Sequence, residues 1–174
     1  MQKDYIMAQL IITILTFLFV ACSSLQGPNT EHLIGQTVIL PNEIYHTHTF
    51  KNNTIIHYLD SSICIPCNFD LINIWNRYTN ELDSLNVDLI ILCNIKYDTT
   101  LLEIARKNRI SCPIYFTSGD SYKTNNKLPD SYEYQTIMID SSMQIEWVGL
   151  PVINKLTWNK FIKHKKQTKH EKNI

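Results

Sequence analysis

The sequence predicts an α/β fold in which a central mixed β-sheet is flanked by helices, with an N-terminal strand extension. Two observations carry this prediction. Apolar runs of strand length at 55–59 and Val87–Cys93 are separated by segments in which apolar residues recur every three or four positions. A later pair of runs, 136–139 and 144–148, flanks a short polar turn. Strands that alternate with helical segments predict a parallel sheet, and the runs 136–139 and 144–148 predict a hairpin.

The first elements of the domain are predicted to begin near Leu33. Residues 36–40 and 43–50 alternate locally, and the Pro41-Asn42 step between them is typical of a turn, so we expect a hairpin or an edge pair. In such a strand His46 and His48 share one face. No third imidazole and no carboxylate lies at ligand spacing nearby, which favours a solvated strand face over a metal site.

A strand-to-helix junction follows. The run 55–59 is broken by Asp60-Ser61-Ser62, whose side chains form turns, and a helix is expected to begin near Cys67. The apolar residues beyond it fall on one helical stripe, which predicts a helical segment over 68–85. The members of that stripe are Phe69, Ile72, Trp75, Tyr78, Leu82 and Leu85.

The remaining elements follow from the same rules. Val87–Cys93 is apolar except for Asp88, which is typical of a parallel strand buried on both faces. Thr99 or Thr100 is expected to cap a helix that ends at Lys107. Residues 118–131 are rich in turn formers and predict a surface loop, and a last helix is expected over 155–166. Right-handed crossovers place the strand 55–59 beside Val87–Cys93.

Composition limits the classes of function. The chain has 174 residues, 44% hydrophobic and 18% charged, which suits one globular domain and a tether. Its formal net charge is +0, so no global field attracts nucleic acid, and its 4 glycines argue against Gly-rich phosphate loops. The three tryptophans are interpreted as packing residues. We therefore expect no nucleic-acid partner, no cofactor and no resident metal.

The N-terminus carries a targeting pattern. Residues 6–21 are largely apolar, follow Lys3, and end directly before Cys22. This run resembles a bacterial lipoprotein signal, which implies that residues 1–21 are removed, that Cys22 is lipidated, and that 22–32 form a tether. The domain would then face the periplasm of a Gram-negative cell envelope. An uncleaved single-span anchor is the alternative, and it also places the domain outside the cytoplasm.

Cys64 and Cys67 are the candidate reactive pair. Both lie where a buried strand turns into a helix, and the free N–H groups and positive dipole end of a helix N-terminus favour a thiolate. We expect Cys64 to attack disulfides and Cys67 to resolve the mixed disulfide. Pro66 suits the first helical turn because its missing N–H has no partner there. Cys93 and Cys112 are interpreted as small buried hydrophobes.

The layout and three motifs resemble the thioredoxin-like superfamily, and among its branches the membrane-anchored, redoxin-type thiol-disulfide oxidoreductases of bacterial envelopes. The motifs are the cysteine pair, Cys112-Pro113-Ile114-Tyr115-Phe116, and Tyr134-Gln135-Thr136-Ile137-Met138-Ile139-Asp140 followed by Gly149. The resemblance covers residues 33–166 and leaves 167–174 as a basic tail. It implies exchange with envelope proteins that carry thiols or disulfides, and a redox partner that recharges the pair.

The resemblance also assigns site residues and shows departures. Ile65, Pro66 and Tyr134 match the substrate-facing loops, but no proline stands near Tyr134, where this superfamily has a cis-proline. Tyr58 stands near the position of a buried acid, and Ile63 replaces a tryptophan. The alternative function is a non-catalytic binding or assembly lipoprotein. Its cysteine pair would be a structural disulfide or a metal site, for which His57 could be a further ligand.

Overall fold

The computed structural model describes residues 29–50, 53–60, 65–94, 99–117, 119 and 121–171, with the backbone alone described for 65–69, 71, 100, 101 and 169–171. Five strands form one sheet in the order β3-β2-β1-β4-β5. The strands are β1 (Asn53–Leu59), β2 (Val87–Cys93), β3 (Ile114–Phe116), β4 (Thr136–Asp140) and β5 (Ile145–Val148). The helices are α1 (Asn42–Thr47), α2 (Ile65–Asn76), α3 (Thr79–Ser84), α4 (Thr99–Lys107), α5 (Ser121–Asn125) and α6 (Lys155–Glu171). Short 3-10 turns occupy Glu31–Leu33, Tyr132–Tyr134 and Pro151–Ile153.

β1 is the central strand and fixes the register of its neighbours. It runs parallel to β2, with Ile55 opposite Leu89, and antiparallel to β4, with His57 opposite Thr136. β3 extends the parallel side, and β5 completes the predicted hairpin with β4. The mixed sheet and the pairing of β1 with β2 are therefore confirmed. The carboxyl end of β1 and the amino end of β4 meet at one edge of the sheet.

The side chains of β1 alternate between the two faces of the sheet, and both faces are buried in the core. Ile55 and Leu59 point to one face, where α2 and α6 pack, whereas Ile56 and Tyr58 point to the other. The first face is filled largely by Ile72, Trp75, Ile91, Met138, Trp158 and Phe161. The second is filled largely by Leu33, Val38, Ile44, Ile90, Tyr122, Leu128, Ile137 and Ile139. Because each face is buried, the strand register is fixed by the sequence pattern.

The predicted strand over 43–50 is wrong, because Asn42–Thr47 forms α1. Ile44 is 1% exposed while Tyr45 is 44% exposed, so one apolar side chain anchors this helix to the core. The preceding segment forms only a single bridge, Thr37 to Gln144, beside the β4–β5 hairpin. The N-terminal strand extension is thus reduced to this bridge.

The expectation that His46 and His48 share a strand face is wrong for the same reason. His46 lies in the last turn of α1 and is exposed. His48 follows the helix, and its Nε2 lies 3.3 Å from Asp88 Oδ2. Its Nδ1 lies 3.2 Å from the Tyr115 hydroxyl. The local alternation in 43–50 therefore does not correspond to a strand, and the two imidazoles do not form a solvated pair on one face.

Three further predictions need correction. The stripe expected over 68–85 is divided into α2 and α3, because Arg77 N–H and Tyr78 N–H bond to the third residue before them and tighten the last turn of α2. The predicted loop 118–131 contains α5 with Tyr122 1% exposed. The last helix continues to Glu171. Among the described ranges, no helix combines the length and the apolar character that crossing a bilayer requires.

Candidate active site

The predicted cysteine pair brackets the start of α2. That helix begins at Ile65, the residue after Cys64 in the sequence, and Pro66 and Cys67 belong to its first turn. Cys64 lies outside the described residues, as does the predicted lipidation site Cys22, and only the backbone of Cys67 is described. The roles of these cysteines stay predictions. The described part of α2 starts at Ile65, close to Cys67, where a helix was expected to begin.

Tyr134 lies at the edge of the sheet that is formed by the carboxyl end of β1 and the amino end of β4. Tyr58 N–H donates to Gln135 C=O at 3.3 Å, which extends the β1–β4 pairing one step beyond His57 and Thr136. Tyr134, half-buried in a 3-10 turn, therefore comes next to the end of β1 that leads toward the cysteine pair. In the described part of the chain no peptide bond is cis. Tyr134 thus lies beside the end of β1, whereas the segment that joins β1 to α2 is outside the described residues.

His57 lies beneath this edge and is 1% exposed. Its Nδ1 is 2.7 Å from Thr136 Oγ1, and its ring meets the edge of Trp75 at a centroid distance of 5.8 Å. Within the described residues Nε2 has no hydrogen-bond partner. Complete burial lowers the pKa of His57 to about 3, so the imidazole is neutral at physiological pH. No cluster of three or more His, Cys, Asp or Glu in the described ranges could hold a metal ion.

Asp60 contributes a charge that sequence reasoning missed. It follows β1 directly and is 8% exposed. Lys123 on α5 places its Nζ 3.0 Å from Asp60 Oδ2 and 2.8 Å from Asp130 Oδ1. The hydrogen bond to Asp130, followed by the interaction with Asp60, raises the pKa of Lys123 to about 12, so the ammonium stays charged. Nothing in the sequence links residues 63 positions apart, and 118–131 had been expected to be a loop.

Cys93 is buried as predicted, whereas Cys112 is only partly buried. Cys93 is 0% exposed, and burial raises the pKa of its thiol to about 12. Burial likewise raises the pKa of Cys112 to about 11. Cys112 lines a pocket of about 100 Å³ at the amino end of β2, together with Leu82, Asp83 and Asp88. That pocket lies at the opposite end of β2 from the edge that holds Asp60 and Tyr134, so the two regions are separate.

Several solved structures of redox proteins share this architecture. A domain of a possible thiol-disulfide isomerase from Cytophaga hutchinsonii matches with a TM-score of 0.57 and 12% identity over 82% of this chain and 99% of that one. Peroxidoxin BcpB from Mycobacterium tuberculosis matches with a TM-score of 0.56 and 11% identity over 77% of this chain and 96% of its own. A Chlorobium tepidum protein named as the thiol:disulfide interchange protein DsbE matches with a TM-score of 0.53 and 8% identity over 76% of this chain and 97% of its own.

The chain has a thioredoxin-like fold. No family profile and no curated protein sequence matches this thioredoxin-like domain. At these identities the likeness establishes architecture, and chemistry has to be argued from the residues themselves. In this fold, α2 follows the carboxyl end of β1 along the chain, and the turn at Tyr134 lies beside that end. Open α/β sheets bind their ligands at this edge.

Proposed function

We propose that this thioredoxin-like domain is a thiol-disulfide oxidoreductase whose redox pair is Cys64 and Cys67. The observation that carries the proposal is the start of α2 at Ile65, between the two cysteines and six residues after the last residue of β1. The first N–H groups of a helix lack intrahelical acceptors, and with the helix dipole they stabilise an adjacent anion. A cysteine at such a position titrates below an ordinary thiol.

The reaction needs only two sulfur atoms and a substrate disulfide. The Cys64 thiolate attacks one substrate sulfur, which forms a mixed disulfide and releases the other substrate sulfur as a thiolate. The Cys67 thiolate then attacks Cys64 Sγ, so that the first substrate sulfur leaves and the pair becomes a disulfide. Two electrons pass from the pair to the substrate. The reverse sequence oxidises a dithiol substrate, and a separate redox partner restores the starting state.

The substrate surface would be formed by the loops on both sides of the pair. Ile65 and Pro66 lie in the first turn of α2, and Tyr134 lies beside the end of β1. These residues would contact the chain that carries the target disulfide. The proposed substrates are proteins of the cell envelope, because the sequence before the domain resembles a lipoprotein signal ending at Cys22.

The location follows as a separate proposal. Lipid on Cys22 would attach the domain to a membrane so that it faces the periplasm, with 22–32 as the tether. Radiolabelled palmitate should enter the wild-type protein, and Cys22→Ser should abolish this incorporation and shift the protein from the membrane to the soluble fraction. Equal labelling of both forms would overturn the proposal.

The exchange reaction is tested with an oxidised model substrate whose reduction changes its fluorescence. The reduced wild-type domain should reduce it, Cys67→Ser should accumulate a mixed disulfide, and Cys64→Ser should do neither. Cys93→Ser provides the matched control and should keep wild-type activity, because that thiol is buried. If Cys64→Ser matches the wild type and no mixed disulfide is trapped, the proposed function is wrong.

The reduction potential separates catalysis from the alternative of a binding or assembly protein. A structural disulfide between Cys64 and Cys67 would have a potential below about −300 mV, whereas an exchange-active pair lies above that value. A pair that binds metal would instead release the ion when alkylated. Titration against glutathione or dithiothreitol buffers distinguishes these outcomes.

A further inference from the structure

The exposed face of α6 is basic. The helix contains six lysines and one acidic residue, Glu171, although the formal net charge of the chain is +0. At 3.6 residues per turn, the exposed lysines fall within a sector of about 140° around the helix axis. They are Lys155, Lys160, Lys163 and Lys166. The opposite side of the helix carries Trp158 and Phe161, which are buried in the core.

Within the described residues, none of the four exposed lysines forms an ion pair. The carboxylates that contact α6 bind other groups. Glu81 Oε2 accepts a hydrogen bond from Trp158 Nε1 at 2.6 Å. Glu146 Oε2 lies 3.4 Å from Nζ of Lys165, which is 7% exposed. The positive charge of the exposed face is therefore not balanced by a contact in the described part of the chain.

Helix stability does not account for this face. Lys155 is the first residue of α6, and the helix dipole disfavours a positive charge at that end. Lys163 is three residues from both Lys160 and Lys166, a spacing at which side chains are neighbours on a helix surface and like charges repel. Both effects weaken the helix slightly. A negatively charged partner would instead make use of all four lysines.

An apolar side chain lies within the basic face. Leu156 is 67% exposed, the highest value among the large hydrophobic residues of the described chain. Around the helix axis it falls between Lys163 and Lys160. Helices that lie on a membrane surface combine lysines with apolar side chains that enter the headgroup region. The face therefore offers both of the contacts that a bilayer surface can make.

The chain enters the domain beside the strand on which α6 packs. Gly35 N–H donates to Ile145 C=O at 2.8 Å, at the start of β5. On the same strand, the ring of Trp147 packs against Phe161 of α6 at a centroid distance of 5.6 Å. The proposed lipidation site Cys22 lies seven residues before the first described residue, a stretch that spans at most about 25 Å. Lipid at that site would therefore hold α6 near a bilayer.

We propose that the exposed face of α6 binds the anionic surface of a phospholipid bilayer. This contact goes beyond the proposed exchange reaction and does not depend on it. Near an anionic bilayer, each lysine strengthens binding about fivefold. A domain attached through its N-terminal segment and through α6 is held in one orientation, whereas a domain attached only by a tether rotates freely.

The test is lysine acetylation of the full chain, at trace extent, on nanodiscs of phosphatidylcholine with or without phosphatidylglycerol. The apolar run 6–21 or lipid on Cys22 attaches the chain to both discs, so the comparison isolates lipid charge. By peptide mass spectrometry, the four lysines should react at least about fivefold more slowly on anionic discs. Lys107 and Lys127, which are exposed on other elements, should react equally on both. In about 1 M salt, which screens charges beyond about 3 Å, the protection should disappear.

Two variants that lose the same charge give a second measurement. One replaces the four exposed lysines of α6 by glutamine, and the other replaces four exposed cations elsewhere, Arg106, Lys107, Arg109 and Lys127. Energy transfer from tryptophan to a dansyl-labelled lipid should be higher on anionic than on neutral discs for the wild type and for the second variant. The first variant should lose this difference, because Trp147 and Trp158 contact α6.

Equal acetylation of the four lysines on the two kinds of disc would overturn the proposal and leave an acidic protein as the partner of this face. Equal loss of energy transfer in the two variants would also overturn it, because net charge alone would then explain the binding. If the α6 variant does not fold, acetylation of the wild type still decides. Neither measurement involves Cys64 or Cys67, so failure of the proposed function is read separately.

Discussion

His57 Nδ1 lies 2.7 Å from Thr136 Oγ1, and this buried pair joins β1 to β4 at the edge of the sheet where Tyr134 lies. One atom donates and the other accepts, according to the imidazole tautomer. The ring of Trp75 on α2 packs against the imidazole at a centroid distance of 5.8 Å. The end of β1 is therefore joined to β4 by a buried polar contact between side chains.

The hydroxyl of Thr136 should be required for stability. Thr136→Val removes the partner of a fully buried imidazole nitrogen, and the expected loss in the free energy of unfolding is about 1–3 kcal/mol. Thr54→Val is the matched control, since Thr54 is also 1% exposed and its hydroxyl has no hydrogen-bond partner in the described residues. The free energy of unfolding of Thr54→Val should equal or slightly exceed that of the wild type. Urea unfolding followed by tryptophan fluorescence measures both, and equal losses would contradict the assigned bond.

His57 should make the fold sensitive to acid. Its pKa falls from 6.5 in the unfolded chain to about 3 in the fold, so the stabilisation is complete above pH 6.5 and is lost as the pH falls toward 3. Between pH 6.5 and pH 4.5 this group should account for a loss of about 2–3 kcal/mol. His57→Asn cannot be protonated in this range and should lose this part of the acid slope. His46→Asn, at an exposed histidine, should retain it.

Cys93 and Cys112 should be unreactive in the folded protein. Burial raises their pKa values to about 12 and about 11, so about one thiol in a thousand or fewer is ionised at pH 8. In a variant with serine at positions 22, 64 and 67, iodoacetamide should label both at least about a hundredfold more slowly than in urea. Mass spectrometry over time gives the rates. Rapid labelling of Cys112 in the native state would show that its pocket admits the reagent.

Asn126 should hold the N-terminal segment onto the domain. Its Oδ1 accepts from Ile39 N–H at 2.8 Å, and its Nδ2 donates to Ile39 C=O at 2.8 Å and to Tyr122 C=O at 2.7 Å. Asn126→Ala removes both hydrogen bonds to the part-buried backbone of Ile39 and should cost about 1–3 kcal/mol. Asn125→Ala, at an exposed position, should stay within about 0.5 kcal/mol of the wild type. Comparable losses in the two variants would contradict this role.

Four of the five strands were predictable because they carry their own signal, whereas the short β3 was not predicted. β2 is predicted with the bounds observed, and β1 begins only two residues earlier than expected, at Asn53. Strands buried on both faces are largely apolar: β2 has an unbroken apolar run at 89–93, and His57 is the one polar residue within the run 55–59. The start of α2 was equally visible, since Pro66 and the stripe beyond it mark the first turn.

The segment 43–50 shows where local pattern fails. Ile44 can be buried by a strand or by a short helix, and the alternation of the residues around it does not distinguish the two. Helix formation in α1 follows from packing of that one side chain against the second core face, which depends on residues far along the chain. Tertiary contacts of this kind routinely override intrinsic preferences in short segments.

By itself the sequence determined β1, β2 and the β4–β5 hairpin, and it predicted a cysteine pair at a strand-to-helix junction, because each of these depends on residues close together in the chain. Only the tertiary structure decided what surrounds that junction. His57 meets Thr136 across 79 positions, and Lys123 meets Asp60 across 63. The physical reason is that a buried polar group takes whichever partner the packed fold brings within hydrogen-bond distance, and sequence spacing does not encode that partner.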